Sequence, residues 1–141
     1  MNINEYFADV RRLKNKIIVI VGQNECSSKL GKFHSKEYLG LAMDVGYRDS
    51  FVAVVDFKRG FVFEHADKTR YECSYQVGKR FIDIYSAGYE SGNTCSVVVG
   101  NTEYAKKRRG LNVVVFHYKS LGVVDSFWVD TCEDKELLVR R

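Results

Sequence analysis

The stretch RRGLNVVVFHYKSLGVVDSFWVDT, residues 108–131, constrains the fold more than any other part of the chain. Residues 111–118 are an unbroken strand-prone run. Both of its faces are apolar: Leu111, Val113 and Val115 on one, Val114, Phe116 and Tyr118 on the other. Such a strand must be covered on both sides, which places it inside a sheet. Lys119, Ser120, Leu121 and Gly122 form a short turn, and residues 123–130 return as a second strand. A hairpin this apolar is not stable alone, so the remaining chain has to supply its cover.

A chain of 141 residues is long enough for one domain with a core, burying about 68–70% of its unfolded surface. With 45% hydrophobic and 13% aromatic residues the composition is globular, not disordered. The net charge of +4 is too mild to imply nucleic acid or an anionic membrane as partner. No segment reaches the ~18 consecutive apolar residues of a membrane span. The opening MNINEYFADVRRLK lacks the pattern of a signal peptide. These features predict a cytoplasmic protein, or an exported one if it is a domain of something larger. Cys26, Cys73, Cys95 and Cys132 lack zinc-ligand spacing and read as reduced thiols. Their even number also permits disulfides in an exported protein. No metal or cofactor is expected.

In chain order, Asn2 or Asn4 caps a helix running to about Leu13, with Tyr6, Phe7, Val10 and Leu13 on its apolar face. Residues 16–21 are a buried strand and residues 22–28 a polar loop. Leu30, Phe33, Tyr38, Leu41 and Ala42 are roughly periodic, which predicts a second helix over 28–45 with Gly46 as its C-cap. Further strands are expected at 51–57, 61–65, 71–77, 79–85 and 95–99, with Gly60 and Gly78 in tight turns. No linker, repeat or low-complexity segment interrupts them.

The segments SAGYESGNTCSVVV, RRGLNVVVF and VVDSFWVDT together resemble the first half of the interleukin-like EMT inducer domain, the PANDER-like family. Its hallmark strand opening reads here as Arg109, Gly110, Leu111 and Asn112, and the end of its partner strand as Val129, Asp130 and Thr131. The family's second half appears earlier in this chain. It comprises a helix, a strand, a loop bearing an acid, a helix ending in Leu-Gly, and a strand opening on Arg-Asp. That last opening reads as Arg48, Asp49, Ser50 and Phe51. The halves therefore stand in swapped order, as in a circular permutation: 4–60 the second-half motif, 61–80 connecting strands, 81–132 the first-half motif and 133–141 a tail. A swapped order works physically where the native ends lie close together. The alternative is a domain-swapped homodimer in which each half completes a neighbour. The resemblance implies an α+β fold, a β-rich sandwich of two twisted sheets with two short flanking helices.

No constellation for catalysis is visible. His34, His65 and His117 are dispersed, Asp125 and Asp130 stand five apart on opposite faces of one strand, and Glu25 and Asp44 have no evident partner. Trp128 reads as core. The basic run Lys106, Lys107, Arg108, Arg109 reads as a solvated loop, because only Tyr104 lies near it in sequence. The resemblance implies more. Some members bind sugars, among them the stem domain of a protein O-mannose N-acetylglucosaminyltransferase. Their contact positions correspond to Arg109, Asn24 and Arg48, with Glu25 as the neighbouring alternative to Asn24. Arginine and asparagine supply the planar donors and acceptors that sugar hydroxyls need. This chain departs where the family acid is Asn24 and where its Trp is Phe51. The expectation is a non-catalytic glycan-binding domain associated with glycan synthesis, taking a small saccharide. The alternative is a protein-interaction module of the same fold.

Overall fold

A computed structural model describes residues 1–141. Its elements are α1 (Ile3–Ala8), β1 (Lys16–Asn24), α2 (Ser35–Leu39), β2 (Ser50–Asp56), β3 (Phe61–Asp67), β4 (Tyr71–Val77), β5 (Arg80–Gly88), β6 (Thr94–Val99), β7 (Thr102–Glu103), β8 (Gly110–His117) and β9 (Val123–Val129). The fold is mostly β, with two short helices.

β1 is the strand against which the others are laid. On one side β2 runs antiparallel to it, with Ile17 opposite Asp56 and Val21 opposite Val52. On the other side β8 runs antiparallel from Lys16 opposite His117 to Gln23 opposite Gly110. β3 extends this array beyond β2, and β9 extends it beyond β8. The run at 111–118 is thus interior, as its two apolar faces require. Strands β4 to β7 form an antiparallel series of hairpins. They join the rest where the end of β5 pairs in parallel with the end of β1: Gln23 opposite Ala87, and Asn24 opposite Gly88. The nine strands make one open hydrogen-bonded sheet.

The alternation along β1 and β8 sorts the core into two clusters. Ile18, Ile20, Val113 and Val115 pack with Phe7, Phe33 and other residues of the helical segments. Ile17, Val19, Val114 and Phe116 pack with Ile82, Ile84, Val97 and others from β4–β6. Burying both faces of β1 is what holds the register, since a slip of one residue would exchange the two sets.

The helices are shorter than the sequence predicts. Asn2 does start α1, through a reciprocal capping box with Glu5, but the helix stops at Ala8 and Val10–Arg12 continues as one 3-10 turn. The predicted helix over 28–45 reduces to a 3-10 turn at Leu30–Lys32 and the five residues of α2, which Gly40 ends in the left-handed conformation. Leu39, Leu41 and Met43 still reach the core, from irregular backbone beyond Leu39. The carboxylate of Glu64 on β3 accepts the backbone N–H groups of Ala42 (2.8 Å) and Met43 (2.7 Å), partners that a helix would have supplied internally.

Candidate functional site

Three of the four sequence positions singled out as ligand-binding, Asn24, Glu25 and Arg48, gather around the C-terminal end of β1. Ser86 brings its neighbour strand there. Its buried hydroxyl donates to the Gly22 carbonyl at 2.6 Å and accepts the Phe51 N–H at 2.9 Å, lodging the end of β5 against both β1 and β2. Asn24, at φ +65°, ends β1, and its carbonyl accepts the Tyr89 N–H at 2.9 Å. The loop after β5 thereby lies against the turn that leads into β2. The approach is so close that a Cβ on Gly88 would collide with the carbonyl of Arg48.

Arg48 sits in that turn at φ +60°. Asp49 closes the turn by accepting the Gly46 N–H at 2.8 Å. Glu25 is 4% exposed, and both of its oxygens are taken up within the protein. One accepts Ser27 N–H (2.5 Å) and Oγ–H (2.6 Å), and the other accepts the Arg48 N–H (3.2 Å). Glu25 thus holds the Arg48 backbone in place and presents no free oxygen to a ligand.

The Arg48 side chain leaves the turn between two exposed aromatic rings. Its guanidinium carbon lies 4.8 Å from the Tyr47 ring centroid and 4.3 Å from that of Tyr89, and Nη1 bonds Glu90 Oε1 at 3.1 Å. The hydrogen bond to Glu90 holds the guanidinium above its ordinary pKa. Tyr47, Tyr89 and Glu90 are the site residues that sequence reasoning missed. The signal was the paired tripeptides Gly46-Tyr47-Arg48 and Gly88-Tyr89-Glu90, which the fold sets side by side.

Arg109 stands on the other flank of β1, one residue before Gly110, which pairs with Gln23. Its guanidinium is engaged by Asp130 at 2.9 Å and Glu133 at 3.4 Å. The hydrogen bond to Asp130 raises the Arg109 pKa. Burial opposes ionisation of Asp130, yet hydrogen bonds from Arg109 and from the Cys132 and Glu133 N–H groups hold its carboxyl below the usual range. Gly110, at φ +106°, leaves room only for a hydrogen where its α-carbon faces the Val129 carbonyl. Asn24, Glu25 and Arg48 are therefore one constellation, and Arg109 a separate ion-paired group across β1.

The surface depressions all lie elsewhere, and none is lined by Tyr47, Arg48, Tyr89, Glu90 or Arg109. One of about 450 Å³ adjoins α2, and another of about 490 Å³ lies over Glu72, Asp83 and Ser96. The histidines are dispersed here too: His65 contacts Asp67 at 3.2 Å, His34 stacks on Tyr38, and His117 Nδ1 accepts the Lys119 N–H at 3.3 Å. Trp128, expected in the core, is half-buried with the Arg108 guanidinium over its ring. All four cysteines are free thiols, and no three His, Cys, Asp or Glu side chains gather as a metal set. No helix is long and apolar enough to cross a membrane.

Compared with family models, curated proteins and solved structures, the chain finds no match.

Proposed function

We propose that the chain is a non-catalytic carbohydrate-binding domain whose ligand rests on Tyr47, Arg48, Tyr89 and Glu90. The observation that carries this reading is the Arg48 guanidinium held between two exposed tyrosine rings with a carboxylate beside it. A saccharide needs flat apolar surface for its C–H face and fixed donors and acceptors for its hydroxyls. The rings offer the first, and Arg48 and Glu90 the second. Asn24 positions Tyr89 through its backbone and Glu25 positions Arg48, while Arg109, ion-paired with Asp130 and Glu133 across β1, stands outside this surface.

The fold reading that goes with this is a permuted sandwich resembling the interleukin-like EMT inducer domain. In it β4–β7 faces the array of β1, β2, β3, β8 and β9. Two observations support it. The apolar cluster between them draws on both sets of strands. The segments that resemble the two halves also pair with each other, β1 on β8, over eight residue pairs.

The test is a chemical-shift titration with N-acetylglucosamine and its β-linked oligomers. Resonances of Tyr47, Arg48 and Tyr89 should move at millimolar sugar, an affinity of about −4 kcal/mol. Arg48→Ala should abolish the movement. No shift at these residues with any saccharide would end the proposal. The second reading, a protein-interaction module, is favoured by one observation: Phe57, Phe61 and Val62 are each exposed around the β2–β3 turn. Shifts confined to that turn on adding a protein partner would support it instead.

A further inference from the structure

Asn112 is an amide in the middle of an apolar strand, with no exposed surface. Burying it is costly unless its polar atoms are bonded, and both are bonded to a single residue. Its Oδ1 accepts the Arg108 N–H at 2.9 Å, and its Nδ2 donates to the Arg108 carbonyl at 2.7 Å. One residue earlier, Gln23 Nε2 donates to the Lys107 carbonyl at 3.1 Å, where the backbone turns at φ +59°. Two side-chain amides, from β8 and β1, thus hold the backbone at 107–108.

This hold decides where the Arg108 side chain goes. Trp128 lies opposite Asn112 in the β8–β9 pairing, and the Arg108 guanidinium rests over its indole, 5.3 Å from the centroid. Arg109 is paired with Asp130 and Glu133, but no carboxylate lies within 4.0 Å of Arg108, Lys106 or Lys107. All three side chains are exposed. Arg108 is thus a guanidinium held over a flat ring, preceded in sequence by two exposed lysines, with no carboxylate paired to any of the three.

We propose that Arg108 on Trp128, together with Lys106 and Lys107, is a preformed site for the sulfate or carboxylate groups of an acidic polysaccharide. The unpaired guanidinium N–H groups match the two-oxygen geometry of such anions. The clamp by Asn112 and Gln23 and the stacking on the indole lower the ordering cost of binding. Nucleic acid fits less well. Single strands call for successive stacking rings along a basic groove, and the next aromatic, Tyr104, is turned edge-on against Phe116. The site does not depend on the Arg48 loops, so either proposal can fail alone.

Trp128 is the one tryptophan of the chain, so its fluorescence reports the site directly. Titration of the intact protein with a heparin oligosaccharide and with an oligogalacturonate should give a saturable change for at least one of them. Added salt should weaken binding. Arg108→Ala should weaken it about tenfold or more, and Arg108→Lys should fall between, keeping the charge but losing the fork. Arg48→Ala should leave the titration unchanged. The proposal is overturned by a flat response to both oligosaccharides, or by unaltered affinity in Arg108→Ala. It is also overturned by loss of the response in Arg48→Ala, or by tighter binding of an oligothymidylate than of either acidic glycan.

Discussion

The Glu25 carboxylate accepts the backbone N–H of Arg48 at 3.2 Å, across 23 positions of sequence. It is a connection between the end of one strand and the turn before the next, and it fixes a residue whose left-handed backbone would otherwise be costly. Glu25→Ala removes the acceptor for Arg48 N–H and for two donors of Ser27. We expect a loss of about 1–3 kcal/mol, the cost of stranding buried donors, read from urea unfolding. Glu25→Gln should lose less. An Ala variant as stable as the parent would mean that the Arg48 turn is held by something else.

Two glycines are expected to be irreplaceable for different reasons. At Gly88 the obstacle is contact with the Arg48 carbonyl, and at Gly110 it is contact with the Val129 carbonyl together with a positive φ. Alanine at Gly88 should cost about 1–3 kcal/mol as overpacking. At Gly110 the strained backbone adds to that. Gly31 has open space around it, and Gly31→Ala should change stability by at most about 0.5 kcal/mol. A common effect at all three positions, measured by denaturant midpoints, would contradict the distinction.

The strands were readable because each hairpin alternates or runs apolar within a dozen residues and ends on a turn signal. The helix over 28–45 was not, and the reason is physical. Leu30, Phe33, Leu39 and Leu41 all point to the core, and burial at irregular spacing mimics helical period closely enough to mislead. The carboxylate of Glu64, on a strand more than twenty residues away, stands in for the missing helical bonds. The candidate site was half legible for a similar reason. Arg48 carried a motif, but Tyr89 and Glu90 become its neighbours only through the two-residue parallel pairing of β1 with β5, which nothing local announces. Trp128 was misjudged because an apolar strand hid one polar position: Asn112 opposite it marks where the loop, and not the core, covers that face.

Thiol reactivity should divide the cysteines in two. Burial pushes Cys26 and Cys95 up to about 12, so neither forms thiolate near neutral pH. Cys73 is half-buried and raised for the same reason. Cys132 is partly exposed on the turn after β9. Brief treatment of the native protein with iodoacetamide at pH 8 should label Cys132 first, then Cys73, and leave Cys26 and Cys95 until denaturant is added. Peptide mass spectrometry reads the order. Early labelling of Cys26 would contradict the packing around β1.

Acid should destabilise the fold in a definite window. Burial works against ionisation of Asp56 and Asp125, but Tyr75 and Arg59 on the first, and Arg141 and Tyr6 on the second, hold both carboxyls below the ordinary aspartate range. Native carboxylates with lowered pKa take up protons later than unfolded ones. Their contribution is complete above the unfolded value of about 3.9 and is lost as pH falls through the folded values. The melting temperature should therefore decline below about pH 4. Asp125→Asn should be less stable at neutral pH and show a shallower decline. A variant with the parent's slope would remove Asp125 from the account.

The chain ends are adjacent: the Met1 carbonyl accepts the Val139 N–H at 2.9 Å, and Ile3 N–H donates to the Leu137 carbonyl at 3.0 Å. The connection between β3 and β4 is only residues 68–70, and each of those strands already has its main partner, β2 and β5. A chain joined end to end by a short Gly/Ser linker and reopened at 68–70 would restore the order of halves that the interleukin-like resemblance implies. It would keep every strand pairing of the parent. We expect this permutant to give the parent's far-UV circular dichroism and a single cooperative unfolding transition, because loop-closure entropy changes only slowly with loop length. The ion pair of exposed Lys68 with the buried Asp49 carboxylate, and the hydrogen bond from Ser50 Oγ to the Thr69 carbonyl, would be disturbed, at a cost of about 1–3 kcal/mol. A permutant that stays unfolded, or folds only as a dimer, would show that the order of the halves is itself needed for the fold, and the permuted-domain reading would go with it.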